Sequence, residues 1–229
     1  MRKTVSALVA AGFAACGLSA AHAADLPRPV GKAPAVMYAP TFSWAGFYAG
    51  VNAGWGWTSG DGTATVGGIT QNYSGSGNGF LGGGQIGYNL QSGNFVYGVE
   101  ADFQGAGGSG TVTGTTFTGT AKTPWFATFR GRLGYAFDRS MVYLTGGAVY
   151  GKSTLEGTDT GTGAFSSSAT YWTWTVGGGY EAMLWDRWSA KLEYLYAGTP
   201  NRAPTPNGTS ALDGKGRTSV VRVGLNYHF

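Results

Sequence analysis

Ionisable side chains of the kind that perform acid–base chemistry recur along this sequence at alternate positions. Glu100 and Asp102 form one such pair, and Arg130 and Arg132 form another. Paired carboxyl groups could serve as general acid and base, but here basic residues are expected on the neighbouring strands. We therefore interpret the set as a network of structural ion pairs. It has four acidic and four basic members: Glu100, Asp102, Arg130, Arg132, Glu181, Lys191, Glu193 and Arg222.

The sequence contains few residues that could form a nucleophilic catalytic site or bind a metal ion. A serine nucleophile needs a base beside it, and His228 is the one histidine after residue 23. One histidine without a cysteine cannot form a transition-metal site, and the aspartates outside the strands are too scattered for a calcium loop. We expect neither enzymatic activity nor a cofactor or bound metal.

Two glycine-rich stretches match the dinucleotide-binding pattern G-x-G-x-x-G: "GGGQIG" at 82–87 and "GAGGSG" at 105–110. The pattern is meaningful between a strand and a following helix. The first stretch lies inside a predicted strand and the second begins a Thr/Gly-rich loop. In a chain with 42 glycines we interpret both as chance matches. The sequence has no basic cluster or basic helix, so we expect no binding to nucleic acid.

The N-terminus has the three parts of a secretory signal: basic "MRK", an apolar centre, and the small-x-small site "AHA" at 21–23. We predict a signal peptide at 1–23, cleaved after Ala23. Cleavage before Cys16, as in a lipoprotein, is the alternative. Residues 24–43 contain four of the eight prolines and predict an extended periplasmic linker.

From Trp44 to Phe229 the dominant period is two, which is typical of strands. Charged residues make up only 11% of the chain, against roughly 25% in soluble domains. The sequence predicts eight strands at 44–57, 79–90, 94–105, 124–137, 141–152, 170–183, 188–199 and 217–229. Most are long enough to cross a bilayer, which takes about 9–11 residues.

The connections alternate in length. "QSGN", "DRS" and "LWDR" are tight turns, whereas 58–78, 106–123, 153–169 and 200–216 are long and rich in Gly, Ser and Thr. This alternation is the layout of an outer-membrane barrel, with short turns and both chain ends in the periplasm. We predict an all-β fold: an eight-stranded, antiparallel, up-and-down transmembrane barrel at 44–229. Its first strand must pair with its last, because lipid cannot satisfy an open sheet edge.

The tryptophans decide which face of the strands meets lipid. A soluble core would hold large rings in its middle, but these lie near strand ends and predict two membrane-interface belts. Trp44, Trp185 and Trp188 lie at the short-turn end, and Trp55, Trp57, Trp125, Trp172 and Trp174 lie at the loop end. The charged set then faces inward. Eight strands enclose room only for their own side chains, so we predict a plugged interior. Inward glycines would give the charged chains space: Gly83, Gly87, Gly98, Gly134, Gly177, Gly179 and Gly224.

Several segments, in order, resemble the small outer-membrane immunogenic proteins of alphaproteobacteria, a porin-like family of OmpA-type barrels. They are "FSWAGFYAGVNAGWGW" (42–57), "YGVEADFQ" (97–104), "TFRGRLGYAF" (128–137), "TVGGGYE" (175–181) and "KLEYLY" (191–196). The resemblance covers essentially all of 42–229, with the long loops matching weakly. The terminal "RVGLNYHF" resembles the signal read by the outer-membrane assembly machinery, through Arg222, Gly224, Tyr227 and Phe229. No periplasmic peptidoglycan-binding domain is expected after Phe229.

The resemblance implies abundant surface antigens that support envelope integrity, with some porins or haem binders among them. We predict a non-enzymatic protein with a structural or surface-interaction role in the outer membrane of a Gram-negative bacterium. The alternatives are a small passive porin for hydrophilic solutes and a loop-mediated binder of haem or another ligand. The expected partners are outer-membrane lipid, lipopolysaccharide and the assembly machinery, and we expect a monomer. The sequence leaves the loop partner open.

Overall fold

A computed structural model describes residues 42–66, 69–115, 117–160, 163–198, 200 and 209–229. The predicted signal peptide and most of the predicted linker lie outside the described residues. The strands are β1 (Gly46–Val66), β2 (Ile69–Ser92), β3 (Phe95–Ala106), β4 (Ser109–Gly114), β5 (Phe117–Phe137), β6 (Ser140–Asp159), β7 (Gly163–Trp185), β8 (Trp188–Ala197) and β9 (Thr209–His228).

These segments form one closed antiparallel sheet. β3 and β4 are two parts of a single stave, interrupted at Gly107 and Gly108, since both pair with β2 and β5. Each stave pairs with its sequence neighbour, and β1 also pairs with β9 from Tyr48–His228 upward. The prediction of an eight-stranded barrel closed by its first and last strands is therefore confirmed. Within the described part of the chain, no helix has the length and apolar character to cross a membrane.

Three tight turns join the strands at one end of the barrel. The last paired residues are Ser92 with Phe95, Phe137 with Ser140, and Trp185 with Trp188, which leaves two residues in each turn. Gly93, Asp138 and Asp186 occupy these turns with φ of 58°, 54° and 27°. Positive φ at such positions is typical of two-residue hairpin turns, in which Gly, Asn and Asp are favoured.

At the opposite end of the barrel, the prediction of four long loops is wrong. Most of the residues assigned to long loops continue the strands as β-hairpins: β1 and β2 remain paired from Trp57–Asn78 to Val66–Ile69. β6 and β7 likewise stay paired as far as Asp159–Gly163. Alternating threonines in these segments favour a pleated, half-buried backbone, whereas their glycines and serines suggested loops. Only parts of 58–78, 106–123, 153–169 and 200–216 lie between strands, and residues 201–208 lie outside the described part.

A separate hydrophobic cluster supports the extended hairpins. Phe117, Leu155 and Phe165 are buried, with Tyr73 and Val112 packed against them. The Phe117 and Phe165 rings meet edge to face with centroids 6.4 Å apart. The hairpins therefore have a small core of their own, beyond the part of the barrel that spans the membrane.

The barrel wall has apolar side chains outside and polar side chains inside, which is the reverse of the arrangement in a soluble protein. Large apolar side chains are exposed on the outside, as for Phe129, Leu144 and Val223, whereas charged and amide side chains are buried inside. Such an inversion is stable only where the outer face meets lipid rather than water.

Candidate functional site in the barrel interior

The structure brings all eight sequence-predicted charged residues into one buried cluster in the barrel. Arg130 is fully buried at its centre. Its guanidinium contacts Glu193 Oε1 and Asp102 Oδ2, each at 3.0 Å, and also pairs with Glu100. One arginine thus neutralises carboxylates from two separate strands, β3 and β8. Since Glu100 is the direct cross-strand partner of Arg130, strand alternation alone explains part of this contact.

Other contacts cross the lumen and could not be read from neighbouring strands. Lys191 lies opposite Glu181 in the β7–β8 register, yet its ammonium group bonds the Glu100 carboxylate, with 2.9 Å to Oε2. Glu181 is instead paired with Arg132, at 2.5 Å. The barrel is narrow enough for β8 to reach β3, so lumen-crossing pairs compete with those between adjacent strands.

Arg222, on the last strand β9, pairs with two carboxylates of the interior network, those of Glu193 and Asp102. Its Nε donates to Glu193 Oε2 at 2.6 Å, and its Nη2 donates to Asp102 Oδ2 at 3.1 Å. Ionised groups removed from water cost several kcal/mol each unless they are paired and hydrogen-bonded. Four acids and four bases, all buried and all in contact with opposite charge, meet this condition.

Uncharged polar residues that sequence reasoning missed complete the network. Tyr48 donates to Glu100 Oε2 at 2.8 Å and accepts from Arg132 at 3.0 Å. Thr128 donates to Asp102 Oδ2 at 2.6 Å, and Asn226 donates to Glu181 Oε1 at 2.7 Å. Strand alternation could have predicted their position, because each lies on the inward face of its strand. They were not selected because the sequence criterion was charge, and these residues are uncharged.

The inward glycines make room for aromatic rings as well as charged chains. A Cβ at Gly87 would collide with the Tyr48 ring, and one at Gly179 would press on the Tyr143 ring. At Gly224 an added Cβ would lie 3.1 Å from Lys191 Cγ. Tyr143 in turn stacks beneath Arg132, whose guanidinium carbon lies 4.0 Å from the ring centroid.

Trp44 was wrongly assigned to the membrane belt. It is fully buried inside the barrel's short-turn end, in a cluster with Met141 and Tyr143. Its backbone N–H donates to Gln91 Oε1 at 2.7 Å. Trp44 falls on the same alternate positions as Tyr48 and Asn52, which are buried in the lumen, so strand alternation itself places it inside. The wrong assignment came from the preference of tryptophan for membrane interfaces.

Aromatic packing closes this end of the lumen. Phe42, which the sequence analysis placed in the linker, packs edge to face on Trp44 with centroids 5.2 Å apart. The Trp44 and His228 rings lie 5.5 Å apart, and His228 stacks on Tyr48 at 5.6 Å. An apolar and aromatic layer therefore lies below the ion pairs, at the short-turn end of the lumen.

The other tryptophans lie on the outer face, but only Trp185 and Trp188 lie at strand ends, beside a tight turn. Trp55, Trp57, Trp172 and Trp174 are about half exposed, Trp125 is less so, and all five lie in the middle of β1, β5 and β7, because these strands continue beyond their predicted ends into the hairpins. Phenylalanine and tyrosine extend both groups. Trp125 stacks on Phe103 at 5.7 Å and contacts Tyr150 at 5.8 Å, whereas Trp188 contacts Tyr227 at 5.2 Å.

His228 does not form a catalytic triad. Its Nε2 lies 3.0 Å from Ser189 Oγ and 3.6 Å from Glu181 Oε1. Ser189 itself donates to the same Glu181 oxygen at 2.6 Å. In a triad the carboxylate holds the other imidazole nitrogen and leaves the first to take the serine proton. Here serine and carboxylate share one side of the ring in a buried site, so the hydroxyl is not activated.

The predicted assembly signal divides between the two faces of β9. Arg222 and Gly224 point into the lumen, and Tyr227 and Phe229 point outward. The backbone N–H of Phe229 donates to the Phe47 carbonyl at 3.0 Å. The last residue is thus fixed to β1 by the backbone while its side chain stays exposed.

Charged groups on the extended hairpins are mostly solvated. Lys122 and Glu156 form an ion pair of 3.1 Å with both side chains about half exposed. Partial burial, with added repulsion from the Asp213 and Asp61 carboxylates, raises the pKa of the Tyr73 hydroxyl. These groups are separate from the interior network.

Comparison with known proteins gives consistent matches over the whole barrel. A family model described as an outer membrane protein beta-barrel domain matches residues 9–229. The 31 kDa outer-membrane immunogenic protein of Brucella melitensis biotype 1 is 38% identical and aligns over 100% of both chains. The 25 kDa outer-membrane immunogenic protein of Brucella canis is 32% identical, over 99% of this chain and 100% of its own.

Among solved structures, the outer membrane protein OprG from Pseudomonas aeruginosa matches 81% of this chain and 96% of its own. The TM-score is 0.52 at 15% identity, which is a likeness of fold alone.

Proposed function

The chain belongs to the outer membrane β-barrel family, together with the outer-membrane immunogenic proteins of Brucella, and on this premise we propose that it is a non-enzymatic, non-conducting barrel. It resides in the outer membrane. Its role is structural, with the extended hairpins as a surface for antigenic or adhesive contacts. The observation that carries this proposal is the interior closed by two successive layers, one ionic and one aromatic.

The ionic layer opposes passage of hydrophilic solutes. Arg130, Arg222, Glu100 and Glu193 are almost completely buried, so their oppositely charged groups fill the lumen and leave little room for water. Below them, Trp44 packs against Met141 and Met183 across the short-turn end. A solute would have to displace both layers, each of which contributes to the stability of the barrel.

The hairpin cluster supports a structural use of the aromatic residues at the far end. Tyr73, Phe117 and Phe165 are aromatic residues of the segments predicted as long loops, where a loop-mediated haem site would need them. They pack into one cluster instead, and Phe117 and Phe165 are buried. This favours stiff, projecting hairpins over a loop-mediated haem site.

Swelling of proteoliposomes in pentose solution tests the non-conducting role. Vesicles containing the purified barrel should swell no faster than protein-free vesicles. A general porin in parallel gives the positive control. Swelling that rises with the amount of barrel per vesicle would favour the porin alternative.

Replacing His228 tests the non-enzymatic part of the proposal. If purified protein shows a hydrolytic activity towards ester or peptide substrates that His228→Ala abolishes in a folded barrel, the proposal is wrong. We expect both proteins to be inactive. Migration that changes on heating before electrophoresis verifies that each variant is folded.

A further inference from the structure

A cavity of 320 Å³ lies in the barrel between the ion-pair network and the extended hairpins. Its inner wall is formed by a buried cluster of Leu81, Leu195 and Val220, with Phe126 packed against it. Val149 and Tyr171 add further apolar surface. The cavity is therefore a second compartment of the lumen, distinct in chemistry from the charged layer beneath it.

Gly56 of β1 is one of the small residues that leave this space open. Gly56 lines it, where neighbouring strands carry Leu81 and Val220. A Cβ at Gly56 would lie 3.4 Å from Val220 Cγ2 and 3.6 Å from Leu81 Cδ2, which are distances of a close but tolerable contact. The space is thus bounded by side chains and can be filled from Gly56 without a clash with the backbone.

Among the described residues, those that line the inner end of the cavity offer a ligand no free charge. Thr128 lines this end, but its hydroxyl donates to Asp102 and accepts from Arg130 at 3.0 Å. Thr175 also lines it and donates to the Tyr196 carbonyl at 3.1 Å. A charged ligand group would lose its hydration and gain no counter-ion that is not already paired, at a cost of several kcal/mol.

We propose that this cavity binds a small, uncharged, mainly apolar molecule, with its apolar part against Leu81, Leu195 and Val220. An enclosed apolar cavity of about 150 Å³ in another protein holds benzene. The present volume of 320 Å³ therefore fits a molecule of about two fused rings or a hydrocarbon of similar bulk. Asn78, Ser109 and Ser153 also line the pocket and could accommodate one uncharged polar substituent.

The inference goes beyond the proposed structural role and does not depend on it. A closed barrel can hold a ligand above its ionic layer without conducting solute. An empty cavity would leave the non-conducting barrel unaffected, and a conducting barrel could still bind an apolar ligand. The two proposals therefore fail in separate experiments.

Methyl NMR with naphthalene as the probe tests the cavity directly. The barrel, labelled at Leu and Val methyl groups, is placed in lipid nanodiscs and titrated with naphthalene. We expect the signals of Leu81, Leu195 and Val220 to shift and saturate. Lipid-facing Leu133 and Leu144 report simple partitioning into the bilayer, so their shifts should grow in proportion to added naphthalene.

Two glycine variants provide the matched comparison. Gly56→Leu fills the cavity and should weaken naphthalene binding at least tenfold. Gly84→Leu adds the same side chain on the outer face, where an added Cβ has only the Gly50 carbonyl oxygen at 3.7 Å, and should leave binding unchanged. Heat-modifiable migration verifies folding of both.

Three results would overturn the proposal. They are absence of shifts at the cavity methyls, shifts that follow the lipid-facing methyls without saturation, and unchanged binding by folded Gly56→Leu. Should Gly56→Leu not fold, the wild-type titration decides alone, because saturation confined to the cavity methyls is not produced by lipid partitioning.

Discussion

At the scale of single residues, burial and pairing decide how much an ionised side chain contributes to the stability of this barrel. Arg130 and Lys122 are both basic residues of β5 that contact carboxylates. Arg130 is fully buried among three acids, whereas Lys122 shares a half-exposed pair with Glu156. The same type of interaction should therefore have very different energetic weight at the two sites.

Removing the charge of Arg130 should destabilise the barrel strongly. Arg130→Met leaves Glu100, Asp102 and Glu193 buried with an unbalanced charge, at an expected cost of about 3–5 kcal/mol. Lys122→Met is the matched control and should change the free energy of unfolding by no more than about 1 kcal/mol. Reversible urea unfolding in lipid vesicles, followed by tryptophan fluorescence, measures both. Equal effects would contradict a stabilising interior network.

Trp44 should matter to stability in a way that the belt tryptophans do not. Trp44→Ala removes a buried ring from the short-turn end and should cost about 3–5 kcal/mol. Trp185→Ala, on the exposed outer face, should cost clearly less. The same unfolding assay compares them. A smaller effect for Trp44 than for Trp185 would place Trp44 outside the barrel interior.

At the scale of elements, alternation of side chains predicted that the eight charged residues of β3, β5, β7, β8 and β9 point inward, and all eight are buried in the lumen. It could do so because a strand sends successive residues to opposite faces. Trp44 was misplaced because its residue type was taken to indicate a membrane interface, although its position in the alternation, matching Tyr48 and Asn52, places it inside. The Lys191–Glu100 contact was not predicted, because it joins strands that are not neighbours and depends on the lumen's width. The hairpins were taken for loops, since glycine and serine weaken a strand signal even where backbone pairing continues.

The hairpins should behave as a stability unit distinct from the membrane-spanning wall. Phe165→Ala removes a ring from the cluster with Phe117 and Leu155 and should open that hairpin locally. We expect faster hydrogen exchange at 117–121, 155–160 and 163–165, with exchange at 126–135 unchanged. Phe129→Ala, on the lipid-facing surface, is the control that should leave the hairpin amides protected. Faster exchange throughout the barrel would show that the cluster is not a separate unit.

At the scale of the whole molecule, the lumen is organised in layers along the barrel. An aromatic layer occupies the short-turn end, the ion pairs lie above it, and the apolar cavity separates them from the hairpin cluster. Strand alternation and loop alternation predicted the barrel. The layering could not be predicted from them, because it depends on how far along each strand the inward residues lie relative to those of all the other strands.

Single-channel recording in planar lipid bilayers tests the central claim, that two layers of side chains close the interior. Folded barrel, verified by heat-modifiable migration, should insert without producing steady currents above the baseline of protein-free membranes. Steady, large and uniform current steps that depend on the folded barrel would contradict a closed lumen.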